Sequence, residues 1–158
     1  MTVFEYDSLL HIYRNNIDNI ENIKSQYLAL LSFLTDAPNV TTEDFVNQLI
    51  DISLIGDILV CYAIDREKSK ITIIGSGTII YEPKIIHGCK KVGHIEDIVV
   101  HQYYRCFGIA KNILQKLVEL GKNHNCYKII LDCKSELIPF YEKNGFQSHD
   151  VNQMSMYF

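Results

Sequence analysis

A chain of 158 residues, 47% hydrophobic and 22% charged, predicts one domain over residues 1–158, with a core able to stand without disulfides or a structural metal. A formal charge of −4 excludes a general nucleic-acid binder, because affinity for a phosphate backbone needs a basic surface. The five cysteines, an odd number with no CxxC pair, read as reduced thiols rather than a secreted disulfide framework or a zinc ribbon. MTVFEYDSLL lacks the basic-then-apolar order of a signal peptide, and no apolar run approaches the ~18–20 residues of a membrane span. The expectation is a soluble, cytoplasmic domain.

Charge is uneven along the chain. Residues 1–79 carry 5 Lys and Arg against 11 Asp and Glu, whereas residues 80–158 carry 10 against 8. The asymmetry places an anionic partner against the C-terminal half.

In chain order, residues 10–14 (LHIYR) read as a short first strand. Ile17, Ile20, Ile23, Tyr27, Leu28, Leu31 and Leu34 recur at steps of three and four, the stripe of a helix. The turn residues TDAPN at 35–39 end it. Thr41 and Asp44 have capping-box spacing, and Phe45, Leu49 and Ile52 continue a second helix. Residues 57–64 (DILVCYAI) and 71–81 (ITIIGSGTIIY) are β-branched and aromatic, with polar DREKSK between them as a hairpin connection. Gly75 and Gly77 inside the second of these strands predict a bulge or a close backbone approach. Residues 95–100 form a third strand. Ile109, Ile113, Leu114, Leu117 and Leu120 mark a helix to about residue 123, and residues 128–133 (KIILDC) another strand. Residues 137–144 are a short helix with Gly145 as its C′ glycine, and residues 146–158 supply one or two closing strands. This order predicts an α/β (α+β) architecture, a mixed sheet covered by helices on both faces.

The segment that carries chemistry is HIEDIVVHQYYRCFGIAKNIL, residues 94–114. A strand ends at Val100, a turn follows, and a helix opens at RCFGIA. The small residues Gly108 and Ala110 let a ligand approach the backbone. The unpaired N–H groups of the helix's first turn suit a phosphate or pyrophosphate, and Arg105 adds a fork of donors. Glu96 and Asp97 are adjacent acids in an apolar strand, so one of the pair faces solvent unless a bulge turns both to one cleft. A metal site from His87, Cys89 and His94, or from Cys126 and Cys133, lacks zinc-like spacing. Cys133 is better read as a small apolar residue than as a nucleophile.

GHIEDIVV at 93–100, residues 104–110, NCYKIILDC at 125–133 and FYEKNGF at 140–146 resemble the GNAT N-acetyltransferase family in order and spacing. The closest likeness is to the branch whose members acetylate glucosamine 6-phosphate. KIIH at 84–87 and the Leu34-Thr35 pair are also similar. The resemblance implies a GNAT fold with a mixed, mostly antiparallel central sheet. It also implies acetyl-CoA as co-substrate, no metal, and direct attack of an amine on the thioester in a ternary complex. Ile98, Val99 and Val100 would pair by backbone with the pantetheine arm, and a backbone N–H there would polarise the thioester carbonyl. Arg105, Cys106, Phe107, Gly108, Ile109, Ala110 and Lys111 would hold the pyrophosphate. Tyr141 would meet the departing thiolate, as a phenol that is a neutral donor at pH 7.

By the same resemblance, Glu96, Asp97 and Asp132 would serve the amino sugar, Asp132 reaching it across a homodimer interface. Glu96, Asp132 and Tyr141 would be the catalytic groups. Thr35, Lys84, Ile85, Ile86, His87, Tyr127 and Lys128 match the family's substrate-facing positions. The chain departs from the pattern at its C-terminus, where the family's phosphate-holding arginine is absent from Met154 through Phe158. It departs again at Leu137, where the family has a cofactor-contacting asparagine. An acetyltransferase for another amine, whether a different amino sugar or a peptide N-terminus, and a non-catalytic CoA-binding domain are the alternatives.

Overall fold

A computed structural model describes residues 4–65 and 70–158. Its elements are β1 (Phe4–Ser8), α1 (Leu9–Asn15), α2 (Ile20–Leu31), α3 (Thr42–Ile55), β2 (Gly56–Asp65), β3 (Lys70–Pro83), the single turn α4 (Ile86–Cys89), β4 (Lys91–Val100), α5 (Ile109–Asn123), β5 (Cys126–Ile130) and α6 (Ile138–Lys143). The strands form one sheet in the order β1-β2-β3-β4-β5. The first four pair antiparallel and β5 pairs parallel to β4. A mixed sheet is the architecture expected from the order of elements, and its mostly antiparallel pairing is what the family resemblance implies.

Both faces of the sheet are covered. α5 lays Ile109, Ile113, Leu114 and Leu117 on one face, against Ile74, Ile79 and Ile95. α1, α2 and α3 cover the other with Leu9, Ile23, Leu30 and Phe45, against Val60 and Ile73. Residues this deeply buried each contribute roughly 1.5–3 kcal/mol relative to exposure. α5 can lie close because β3 presents glycines to it. A Cβ at Gly75 would stand 3.0 Å from Ile109, and one at Gly77 would stand 2.8 Å from Ile113.

Three expectations are corrected. Residues 10–14 are helix, not strand, because Leu9 and Ile12 share a buried helical face and Ser8 caps the turn, its Oγ accepting from the His11 N–H at 3.0 Å. The first strand is instead the preceding Phe4–Ser8. The strand expected at 128–133 is shifted to Cys126–Ile130, because its ladder with β4 ends at the His94–Ile130 pair. Residues 146–158 form no strand; no edge of the sheet pairs with them. The hairpin expected at DREKSK falls on residues 66–69, which lie outside the described residues. The capping box is present, the Asp44 N–H donating to Thr41 Oγ1 at 3.0 Å, and Gly145 has the positive φ (91°) of a C′ glycine.

Candidate active site

β4 is the element that makes the site. Its N-terminal half, Lys91–His94, is covered on one edge by β5 and on the other by β3. β5 then stops, while β4 runs on to Val100. Among the described residues, the edge of β4 beyond His94 on the β5 side therefore has no strand beside it, and its backbone groups are open to an extended ligand. Ile98, Val99 and Val100 all lie on this stretch.

The bulge that would turn both acids outward is present. Ser76 pairs with Val99 and Thr78 with Glu96, so β4 has an extra residue between these pairs. Asp97 takes φ 54°, a left-handed conformation that Asp tolerates better than most residues. Glu96 and Asp97 are both exposed. Burial pushes the Glu96 carboxyl above the usual range; the neighbouring charges of Asp97 and Asp132 add to this, and His94 opposes it. The Asp132 charge thus bears on Glu96 within one chain. Beneath the bulge the buried Tyr27 hydroxyl lies 3.5 Å from Ser76 Oγ. Burial pushes that phenol up, and the Asp97 charge adds to the shift.

The loop after β4 leads from a short 3-10 turn, Gln102–Tyr104, to α5. Cys106 and Gly108 have φ of 69° and 75°, and these two left-handed residues turn the chain so that α5 begins at Ile109. The Gly108 N-cap supplies no side-chain acceptor and the first turn holds no acid. The leading N–H groups, on Ile109, Ala110 and Lys111, are left for an anion. Ile109 is buried and fixes the helix start, while Cys106 and Phe107 are exposed. Arg105 bends back, its Nε donating to the Val100 carbonyl at 3.5 Å. A backbone cradle and an uncovered strand in sequence fit an extended pyrophosphate-bearing group such as acetyl-CoA.

Tyr141 lies on α6, its ring packed edge-on against Phe140 and Phe146. Burial, then the nearby Cys133, pushes its phenol up, so it stays a proton donor at neutral pH.

The other expected positions divide. His87 stacks on Tyr127 at 4.2 Å, and Lys128 Nζ stands 5.7 Å from the same ring. These three come together, helped by left-handed backbone at His87, Gly88 and Cys89. Ile85 and Ile86 are exposed on the same turn. Lys84 is instead held by Glu82. Thr35 follows α2; Phe33, two residues earlier, packs edge-on against His101 at 5.1 Å, which puts the end of α2 beside the loop that leads from β4 to α5. Residues missed in the sequence are Glu82, His94 and Tyr27. His94 shares a strand face with Glu96 at a two-residue step, a signal the sequence carried; Glu82 joins them only through the β3–β4 register.

The description "Acetyltransferase (GNAT) family" matches residues 29–146, and the chain belongs to this family, whose members use acetyl-CoA. A probable glucosamine 6-phosphate N-acetyltransferase of Oryza sativa is 38% identical over 84% of this chain and 80% of its own length. The glucosamine 6-phosphate N-acetyltransferase of Arabidopsis thaliana is 37% identical over 88% of this chain and 92% of its own. The crystal structure of an Arabidopsis thaliana glucosamine-6-phosphate N-acetyltransferase superposes with a TM-score of 0.82 at 31% identity, covering 99% of both chains. An aminoglycoside N-acetyltransferase in complex with CoA has the same fold, with a TM-score of 0.70 at 16% identity, over 99% of this chain and 96% of its own.

Proposed function

We propose that this chain transfers the acetyl group of acetyl-CoA to the amine of glucosamine 6-phosphate, giving N-acetylglucosamine 6-phosphate and CoA, a step toward UDP-N-acetylglucosamine. The observation that carries the proposal is the uncovered β4 edge, which has an anion cradle at one end and a carboxylate cluster at the other. The similarity to named glucosamine 6-phosphate N-acetyltransferases over more than four-fifths of the chain supports the choice of acceptor.

When bound, acetyl-CoA supplies an activated thioester. The protein does the rest. The backbone of Ile98–Val100 aligns the arm, and a backbone N–H in this stretch meets the developing oxyanion. Arg105 and the first turn of α5 hold the pyrophosphate. Glu96, raised first by burial and then by the charges of Asp97 and Asp132, takes a proton from the substrate ammonium more readily than an ordinary carboxylate would. Tyr141 donates to the departing thiolate. His87, Tyr127 and Lys128 line the acceptor side, where the Lys128 ammonium beside the Tyr127 ring meets the sugar phosphate. Thr35 meets the sugar from the end of α2, and Ile85 and Ile86 close over it.

A homodimer in the cytoplasm fits the same reading. Val151, Met154, Met156, Tyr157 and Phe158 are exposed apolar residues of a tail without a strand partner. All five cysteines are free thiols.

The test is a panel of acceptors with acetyl-CoA: glucosamine 6-phosphate, glucosamine and a peptide with a free N-terminus. The highest kcat/KM is expected for glucosamine 6-phosphate. Preference for either of the others replaces the acceptor, and CoA binding without turnover of any amine leaves only a binding domain.

A further inference from the structure

Glu96 does not stand alone on its face of the sheet. Two residues earlier on β4, His94 directs its Nδ1 toward Glu96 Oε1 at 3.9 Å and its Nε2 toward Glu82 Oε2 at 3.4 Å. Glu82 is in turn held through its other oxygen by the Lys84 ammonium. The result is a row of alternating groups, Lys84, Glu82, His94 and Glu96, running from the end of β3 across β4 into the acid cluster. A neutral imidazole donates from only one nitrogen, so it satisfies one of the two carboxylates that flank it. An imidazolium donates to both. The ring is placed so that gaining a proton completes its hydrogen bonding.

We propose that His94 is the positioning residue of the amine site, relaying to Glu82 and solvent the proton that Glu96 takes from the substrate ammonium. The proposal rests on Glu96 being the acceptor of that proton. The transfer balances without another reactant. The ammonium N–H bond breaks as a Glu96 O–H bond forms, and that proton passes to Nδ1. The Nε2 proton leaves to Glu82 or water, restoring carboxylate and neutral ring. The gap of 3.9 Å is longer than a hydrogen bond, and catalytic contacts of this kind commonly tighten when substrate binds. Lys84 fixes Glu82, so the far carboxylate stays aimed at the ring. The charged groups that bear on His94 and Glu96 are Glu82 and Lys84 from the β3 side, Asp97 from β4, and Asp132 from the segment after β5.

The test measures kcat, and KM for both substrates, across pH for the wild type, His94→Gln, Glu82→Gln and Glu96→Gln. His94→Gln is expected to lower kcat by about tenfold with KM for acetyl-CoA little changed. Its acid limb should move to higher pH, because the ring that opposes the rise of Glu96 is gone. Glu82→Gln should lower kcat by less, because water is left to take the Nε2 proton. A loss of kcat in His94→Gln that is equal at every pH, or a wild-type profile, overturns the role of His94 while Glu96→Gln still reports on the acceptor. Wild-type kcat in Glu96→Gln removes the acceptor and the relay together. The Glu82→Gln variant decides the matter if His94→Gln fails to fold: undiminished kcat there overturns the relay.

Discussion

Gly108 is required by conformation and not by space. Its φ is 75°, yet a Cβ built there would meet nothing within 4 Å. Gly108→Ala should therefore cost about 1–2 kcal/mol in strained backbone, relieved in part by shifting the loop, and the measurable sign is a raised KM for acetyl-CoA in steady-state kinetics. Tyr141→Phe keeps the packed ring and removes the donor. A fall in kcat of about 10²-fold is expected, with the KM for glucosamine 6-phosphate nearly unchanged; undiminished kcat would end the acid role. For Glu96 the folded carboxyl is raised, so its charged form opposes folding at pH values above that raised pKa, and the penalty is relieved as pH falls through it. Glu96→Gln should thus lose activity while its melting temperature at neutral pH rises. The motif residues around Gly108 and the acid pair were legible in sequence because local spacing determines them. Glu82 was not, since its meeting with His94 depends on which β3 residue lies across from which β4 residue.

At the scale of elements, the helices that could be read were those whose stripe and cap agree. Thr41 caps α3 through its hydroxyl, and Thr41→Ala should cost about 1 kcal/mol of stability in denaturant unfolding. α1 was misread because LHIYR also fits a two-residue alternation, and only Ser8 and the burial of Leu9 and Ile12 favour a helix. The ends of β5 were misplaced for a different reason. KIILDC is uniformly strand-like, and its limit is set by where the ladder with β4 ends, at the His94–Ile130 pair, which composition does not report. Gly56 opens β2 against β3, where a Cβ would stand 2.2 Å from the Ile79 carbonyl oxygen. Backbone cannot swing aside as a side-chain end can, so Gly56→Ala should destabilise by about 1–3 kcal/mol, read as a lower midpoint in urea.

For the whole molecule, the charge asymmetry noted in the sequence is only partly spent on ligands. Lys84 is neutralised by Glu82, and Lys91 lies 5.8 Å from the Tyr81 ring centroid. Arg105 and Lys111 beside the start of α5, and Lys128 beside Tyr127, are the cations that the proposed reaction assigns to its two anionic substrates. Deleting residues 151–158 removes the exposed apolar tail; if that tail joins two copies, sedimentation velocity should show a monomer, whereas an unchanged dimer would assign the interface elsewhere. The central claim is that the uncovered β4 edge presents an acetyl thioester to a sugar amine. Its most direct test is a proton NMR time course of this protein with acetyl-CoA and glucosamine 6-phosphate. One N-acetyl resonance on the sugar should grow in step with free CoA. Release of CoA without that resonance, or acetyl appearing on a hydroxyl, would contradict it.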